Sequence, residues 1–125
     1  MKKIISTADA PAAIGPYSQG VLAGGFLYVS GQLPTDPATD AFAGDDITAQ
    51  TRQALENLKA VVYAAGMTMS HVVKITVYMK DMEDFSAMNA VYAEYFAADC
   101  PARAAVEVAR LPKDARVEIE AVACM

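Results

Sequence analysis

The chain has 125 residues, of which 54% are hydrophobic and 20% charged, with a formal net charge of -5. This length predicts one domain over residues 1–125, and the negative charge argues against nucleic-acid binding. No apolar run approaches the roughly 18 residues that span a bilayer, and no signal-peptide core is present. Cys100 and Cys124 have no disulfide-framework spacing. We therefore expect a cytoplasmic protein with no membrane contact that is apolar enough to self-associate, and an alanine-rich monomer is the alternative.

The first part of the chain predicts short strands followed by a loop. A hairpin is indicated by the turn signal Gly24-Gly25 between two apolar runs. Asp, Pro, Gly and Thr dominate residues 35–46, which predicts turn or loop with one short edge strand. The predicted segments are a strand at 2–6, a loop at 11–17 and hairpin strands at 19–23 and 26–30, the second of which ends at Gly31-Gln32.

A helix is predicted to follow Asp46, whose carboxylate can cap the free N–H groups of the first turn. Gly66 suits the left-handed position that closes a helix. The apolar stripe at helical spacing comprises Ile47, Thr51, Leu55, Leu58, Val62 and Ala65, whereas Gln50, Gln53, Asn57 and Lys59 lie mostly off it.

The second part predicts a strand at 72–80, a helix from about Asp84 that Cys100-Pro101 stops, and strands at 103–110 and 116–123. Two helices on one face of a mixed sheet is the natural packing, an α+β layer whose other face needs cover. In the first strand Val73, Ile75, Val77 and Met79 are expected to face one way and Lys74, Thr76 and Tyr78 the other. In the helix Phe85, Met88, Tyr92, Tyr95 and Phe96 are expected to be buried.

Arg103 has the clearest chemical implication in the chain. It stands among alanines before alternating apolar residues, which predicts the entrance to a buried strand. A guanidinium keeps its charge and is expensive to bury without a partner. Its planar fork of donors matches a carboxylate in two parallel hydrogen bonds. Arg103 is therefore a candidate anion receptor, and a solvated arginine on an exposed strand is the alternative.

Glu118 and Glu120 fall on one face of the last predicted strand, opposite Val117, Ile119 and Ala121. Both glutamates could simply be solvated. If this face lies against a neighbouring subunit, each needs a partner or a task. Carboxylates near an arginine could bind and orient a water for attack on an electrophilic carbon.

Four further positions are candidates for binding. Tyr17 follows the rigid turn Gly15-Pro16, which can project its ring over a cavity, although a tyrosine with its hydroxyl in water is the simpler interpretation. Ser30 and Gly31 end an apolar strand and could face a ligand, although a strand-terminal serine is often a turn former. Asn89 lies inside a helix, which indicates a cross-element hydrogen bond or an exposed position.

Several chemistries find no support in the residues present. His71 is the only histidine and follows Ser70 at a predicted strand start, where we expect it to be exposed. A nucleophile–histidine pair could be built only around it. No Cys or His cluster has metal-ligand spacing, and no glycine-rich nucleotide motif follows a strand. The sequence predicts no metal site.

Three segments carry a family resemblance in order along the chain. They are Ala13-Ile-Gly-Pro-Tyr-Ser-Gln-Gly20, Val29-Ser-Gly-Gln32, and the C-terminal stretch that contains Pro101-Ala-Arg, Val106-Glu-Val-Ala-Arg-Leu-Pro-Lys-Asp114 and Val117-Glu-Ile-Glu-Ala121. They resemble the reactive intermediate (enamine/imine) deaminase family, which also has older names for translation inhibitors and perchloric-acid-soluble proteins. The C-terminal stretch is highly specific.

The resemblance implies a chorismate-mutase-like α+β subunit, a homotrimer and pockets between subunits. It implies a hydrolase that detoxifies 2-aminoacrylate, 2-iminopropanoate and related 2-imino acids to 2-keto acids and ammonia, with no metal or organic cofactor. Arg103 is implied to clamp the substrate carboxylate and Glu118 to activate the attacking water. The residues implied to line the pocket are Tyr17, Ser30, Gly31 and Asn89.

One position departs from the family pattern. Many bacterial members have a cysteine two residues after the arginine, where this chain has Ala105. The resemblance implies that the backbone of Ala105 contributes to substrate binding more than a side chain would. Alanine is compatible with that role, whereas thiol-based regulation at this position is excluded.

Two other functions are alternatives. An endoribonuclease or translation-inhibiting RNA-binding activity is attributed to some relatives, but the net charge, the absence of tryptophan and the lack of a basic–aromatic stripe disfavour it. A non-catalytic trimer that binds small carboxylates would use the same Arg103 and the same interface.

Overall fold

The computed structural model describes residues 1–125 and has the predicted α+β architecture, with two helices on one face of a mixed sheet. The sheet has six strands in the order β1-β2-β3-β8-β6-β7. β6 and β7 are parallel, and the other neighbouring pairs are antiparallel. The elements are β1 (Lys3–Ile5), β2 (Gly20–Ala23), β3 (Phe26–Gln32), β4 (Thr35–Asp36), β5 (Ala41–Phe42), α1 (Ile47–Ala64), β6 (Val72–Met79), α2 (Phe85–Tyr95), β7 (Ala102–Glu107) and β8 (Val117–Cys124).

The N-terminal hairpin forms as the sequence predicts. β2 and β3 meet at Gly24-Gly25, where φ is 58° and 81°. Both values lie in the left-handed region that two-residue hairpin turns require and that glycine adopts readily. Residues 35–46 contain two short strands, β4 and β5, paired with each other rather than the single edge strand expected.

α1 begins and ends at the predicted signals. Asp46 Oδ1 accepts a hydrogen bond from the Ala49 N–H at 2.7 Å, and Gly66 follows the helix with φ of 80°. Leu55, Leu58 and Val62 are fully buried against the sheet. Neither α1 nor α2 is long and apolar enough to cross a membrane.

Two residues off the apolar stripe of α1, Gln50 and Asn57, are nevertheless buried because they bind loop backbone. Gln50 donates to the Gly44 carbonyl at 2.9 Å and accepts from the Arg116 N–H at 2.8 Å. Asn57 donates to the Leu33 and Thr35 carbonyls at 3.0 and 2.8 Å. These bonds fix the segment after β3 and the start of β8, the two elements that carry the candidate site.

The predicted orientation of Val73 is wrong. Val73 is 44% exposed, whereas Val72 is buried with Ile75 and Val77. The register against β8 shifts between Val72 and Lys74, and this irregularity reverses the alternation at the start of β6.

The prediction that Arg103 enters a buried strand is also wrong. β7 exists, but five of its six residues are exposed, because β7 is the outermost strand beside β6. A parallel pair needs a crossover, and α2 supplies it and carries β7 to the sheet edge. β8 instead pairs between β3 and β6, so the two final strands are not neighbours.

Candidate functional site

Glu118 projects from the start of β8 on the sheet face away from the helices. It alternates with buried Val117 and Ile119 and shares its face with Glu120, as the sequence predicts. The Glu118 carboxylate forms no salt bridge within the chain and has no hydrogen-bond partner there. Burial, and then the nearby Glu120 carboxylate, raise the pKa of Glu118 above its ordinary value. It is a half-buried carboxylate with no cationic partner in its own chain.

The Glu118 carboxylate lies directly against the backbone of Gly31. A Cβ atom added to Gly31 would stand 2.6 Å from Glu118 Oε2 and 2.9 Å from its Cδ. The register between β3 and β8 shifts at this point, between Val29 and Gln32, which brings the Gly31 backbone under β8. Any side chain at position 31 would occupy the space that the carboxylate now fills.

A cavity of about 520 Å³ opens beside Glu118, where β3 ends and β8 begins. Four of the predicted site residues line this cavity: Tyr17, Ser30, Gly31 and Glu118. We call it the Glu118 cavity. Other residues that contribute to its wall include Gln19, Gln32, Asp40, Pro112 and Lys113.

Ser30 and Tyr17 are fixed by backbone hydrogen bonds. Ser30 Oγ donates to the Ser18 carbonyl at 2.6 Å, and the Tyr17 N–H donates to the Gly15 carbonyl at 2.9 Å. The Tyr17 ring is 53% exposed and free to contact a ligand. Because the Ser30 hydroxyl proton is already donated, this hydroxyl can offer a ligand its lone pairs.

A cavity of about 380 Å³ lies on the other side of Glu118 and is lined by Tyr78, Arg110 and Glu120. The Tyr78 hydroxyl donates to Glu120, and this bond, followed by burial, raises the pKa of Tyr78. Tyr78 therefore stays a neutral hydrogen-bond donor and holds Glu120 beside Glu118.

Arg103 lies on the opposite, helix-facing side of the sheet. Its Nη1 donates to Asn89 Oδ1 at 2.6 Å, and its guanidinium carbon stands 4.6 Å from the centre of the Tyr92 ring and 5.5 Å from that of Phe85. Asn89 thus makes the cross-element bond that was one of its two expected roles. No acidic side chain pairs with Arg103. Its remaining N–H donors are available to a ligand.

Phe85 and Tyr92 were expected only as helix core, and their contact with Arg103 was missed. Both rings face the guanidinium, and such cation–π contacts hold a cation flat against an aromatic face. Phe85, Asn89 and Tyr92 are spaced so that all three lie on one stripe of α2. This helical spacing is the sequence signal from which their shared contact with Arg103 could have been predicted. Ala105 lies two residues after Arg103 on the same side and packs against the core.

A single chain does not bring Arg103 and Glu118 together. β6 separates β7 from β8, and the register sets Glu118 level with Tyr78 and Val106, three residues beyond Arg103. Two strand spacings and three residues along a strand correspond to roughly 14 Å between the Cα atoms. The two side chains also leave opposite faces of the sheet. Asn89 and Ala105 stay with Arg103, while Tyr17, Ser30 and Gly31 stay with Glu118.

The remaining candidates do not build a second site. His71 is half-buried rather than exposed, and its Nδ1 accepts a hydrogen bond from the Thr68 N–H at 2.9 Å. The His71 ring therefore closes a turn before β6. No group of three or more His, Cys, Asp or Glu side chains is arranged to hold a metal ion.

The protein-family model described as endoribonuclease L-PSP matches residues 7–125 of the chain. A RutC family protein of Pyrococcus horikoshii is 58% identical over 123 residues, which is 98% of each chain. A 2-iminobutanoate/2-iminopropanoate deaminase of Salmonella typhimurium is 55% identical over 126 residues, also 98% of each chain. The crystal structure of Escherichia coli TdcF with bound serine is 47% identical, has a TM-score of 0.95 and covers 98% of each chain.

These similarities define a class of small α+β proteins, and the chain belongs to it. It is a member of the endoribonuclease L-PSP family, which includes RutC family proteins and the 2-iminobutanoate/2-iminopropanoate deaminases. The resemblance read from the three sequence segments is confirmed.

Proposed function

We propose that this protein hydrolyses 2-aminoacrylate, 2-iminopropanoate and related reactive 2-imino acids to 2-keto acids and ammonia, without a metal or organic cofactor. The observation that carries the proposal is Glu118, an unpaired, half-buried carboxylate held against Gly31 at the wall of a cavity. The raised pKa of Glu118 makes it a better proton acceptor than an ordinary glutamate. The deaminase name of the relative that is 55% identical supports the same chemistry.

The reaction follows from what Glu118 can do to a water molecule. The enamine 2-aminoacrylate first takes up a proton at C3 and becomes the iminium form. The Glu118 carboxylate then accepts a proton from water as the water oxygen attacks the C2 carbon of the iminium, and a tetrahedral amino alcohol forms. The nitrogen gains a proton, the C–N bond breaks, and ammonia leaves with the electron pair. The remaining hydroxyl loses its proton and becomes the carbonyl of the keto acid. Ser30 and the Gly31 backbone border the space in which this occurs.

We propose that the substrate carboxylate is held by Arg103 of a neighbouring subunit in a homotrimer. Arg103 and Glu118 leave opposite faces of one chain, so a site that contains both needs two subunits. Uncovered apolar side chains on the face of Glu118 support such assembly, because Tyr28 is 51% and Val106 is 44% exposed. Light scattering at micromolar concentration should give about 40 kDa, three times the 13.2 kDa chain. A monomer mass would contradict this arrangement.

The direct test generates imines in place with an amino-acid oxidase and follows 2-keto acid release with and without the protein. We expect faster release than spontaneous hydrolysis, with no metal or cofactor added. A protein that binds keto acids yet leaves the release rate unchanged would instead be a non-catalytic carboxylate-binding trimer.

Gly31→Ala should move the Glu118 carboxylate, and so lower the rate of imine hydrolysis, without lowering the stability of the fold. The new methyl group would displace the end of the Glu118 side chain, which can rotate away at small cost. Because misplacement of a catalytic group by about 1 Å costs roughly 100-fold in rate, we expect a loss of that order. Imine hydrolysis and thermal unfolding should be measured together. Wild-type turnover, with an unchanged melting temperature, would remove Glu118 from the mechanism.

Glu120→Gln should shift the pH dependence of hydrolysis. Glu118 must be ionised to accept a proton, so activity falls as the pH drops through its raised pKa. Burial is the larger cause of that rise and Glu120 the smaller, so loss of the Glu120 charge should lower the pKa of Glu118. The acid limb of kcat/KM should therefore move to lower pH. Tyr78→Phe removes the hydrogen bond to Glu120 but keeps the Glu120 charge, so its acid limb should move less than that of Glu120→Gln. A shift to higher pH would contradict the assignment.

An endoribonuclease activity is the second candidate, because the matching family model carries that description. The net charge of -5 opposes attraction of a polyanion, and the single histidine is engaged with Thr68. Salt-dependent cleavage of single-stranded RNA, abolished by Glu118→Gln, would favour this candidate over the deaminase.

A further inference from the structure

Lys113 lies in a turn whose backbone conformation is unfavourable for a residue that has a side chain. Its φ is 55°, and that of Asp114 is 58°, so two successive residues with a Cβ atom occupy the left-handed region. The turn is held on both sides. Asp114 pairs with Lys80 at 2.9 Å, and the Ala115 N–H donates to the Pro112 carbonyl at 3.1 Å. Glycine or asparagine would relieve the strain at position 113, yet the chain places a lysine there.

This turn places Lys113 at the wall of the Glu118 cavity. The three salt bridges of the chain join Arg52 to Glu94, Lys80 to Asp114 and Arg116 to Asp84, so Lys113 has no acidic partner. Even the adjacent Asp114 pairs with another lysine. Lys113 is the only cationic residue that lines this cavity.

The other charged residues that line the cavity, Glu118 and Asp40, are negative. Behind Glu118, the adjoining cavity adds one charge of each sign, from Glu120 and Arg110. A ligand with a carboxylate therefore enters a region whose charge, like the net charge of the chain, repels it. A lysine without an acidic partner at the wall offsets this repulsion over several ångströms, and salt screens its effect.

We propose that Lys113 is a specificity-determining residue that selects carboxylate-bearing ligands for the Glu118 cavity. The proposal rests on the proposed function and names the feature of the substrate that this residue recognises. Arg103 of a neighbouring subunit would fix the orientation of the carboxylate through directed hydrogen bonds. Lys113 acts at longer range and favours the charge itself, so a neutral ligand of the same shape gains nothing from it.

Calorimetric titration with pyruvate and with its neutral amide, pyruvamide, tests this role. Lys113→Asn keeps a residue that tolerates the left-handed turn and removes the charge. We expect it to weaken pyruvate binding about three- to tenfold at low salt and to leave pyruvamide binding unchanged. The loss should shrink at about 0.5 M salt. Lys113→Arg should retain pyruvate affinity, and Lys2→Asn, which makes the same change in net charge at an exposed site, should have no effect.

The variants should fold, because asparagine suits the turn, and a melting temperature at or above that of the wild type would verify this. Pyruvate affinity of Lys113→Asn equal to the wild type, or an equal loss for pyruvamide, would overturn the proposal. Neither outcome would affect the deaminase, which depends on keto acid release by the wild-type protein. A wild-type protein that binds no pyruvate but accelerates imine hydrolysis would also overturn the role of Lys113 while leaving the deaminase in place.

Discussion

Arg103→Ala is expected to lower kcat/KM for imine hydrolysis by about a thousandfold. The guanidinium fork can hold a carboxylate in two parallel hydrogen bonds, which fixes the reacting carbon relative to the water on Glu118. Asn89 and the Tyr92 ring already hold this fork in place before any ligand binds. Truncation to alanine removes both the charge and the orientation that it provides.

Arg103→Lys should also be impaired, by about tenfold to a hundredfold, although the charge is kept. A lysine ammonium is a point charge that cannot reproduce the planar fork or its flat contact with an aromatic ring. Arg52→Ala provides a matched control, because Arg52 is an exposed arginine paired with Glu94 on the outer side of the helices. Its loss should leave turnover near the wild-type rate. Full turnover by either Arg103 variant, measured by keto acid release, would refute the carboxylate clamp.

Local patterns in the sequence predict most of the elements correctly. The hairpin at Gly24-Gly25, the cap at Asp46 and the shared face of Glu118 and Glu120 each depend on residues within one or two turns of chain. Period-two and period-3.6 patterns carry such information directly. These elements therefore required no knowledge of their partners.

The errors at Val73 and Arg103 depend on contacts between distant segments. Val73 faces the wrong way because β6 changes register against β8, and Arg103 is exposed because β7 is the outermost strand of the sheet. Neither the register between two strands nor the order of strands in the sheet can be predicted from one segment alone. The burial of Asn57 likewise depends on two carbonyl groups beyond β3.

The structure brings together only part of the set of candidate site residues, and their roles stay predictions. Tyr17, Ser30, Gly31 and Glu118 meet at one cavity, as the motifs imply. Arg103 lies on the other face of the sheet, and the spacing of these residues along the sequence does not show this separation. The strained backbone of Lys113 could not be predicted from the sequence either, because lysine is not a residue type that favours a positive φ.

Glu118→Gln should reduce imine hydrolysis by about a thousandfold, the range expected when a general base is lost. Glutamine keeps the shape of the side chain against Gly31 but cannot accept the proton of water. The fold should not suffer. Because the folded state raises the pKa of Glu118, the stability that this group contributes is present at acid pH and is lost as the pH rises through that pKa. At neutral pH the neutral glutamine should therefore give an equal or higher melting temperature.

Mixing the two inactive proteins tests whether each site is shared between subunits. If Arg103 and Glu118 of one site come from different chains, a trimer that combines Arg103→Ala with Glu118→Gln chains can hold sites with both residues intact. After unfolding and refolding of an equal mixture, half of the chains supply the arginine and half the glutamate. If the chains assemble at random, about a quarter of the interfaces combine an intact Arg103 with an intact Glu118, so about a quarter of wild-type activity should return. Each variant refolded alone should remain inactive. If both residues act within one chain, no mixture can regain activity, because every chain lacks one of the two.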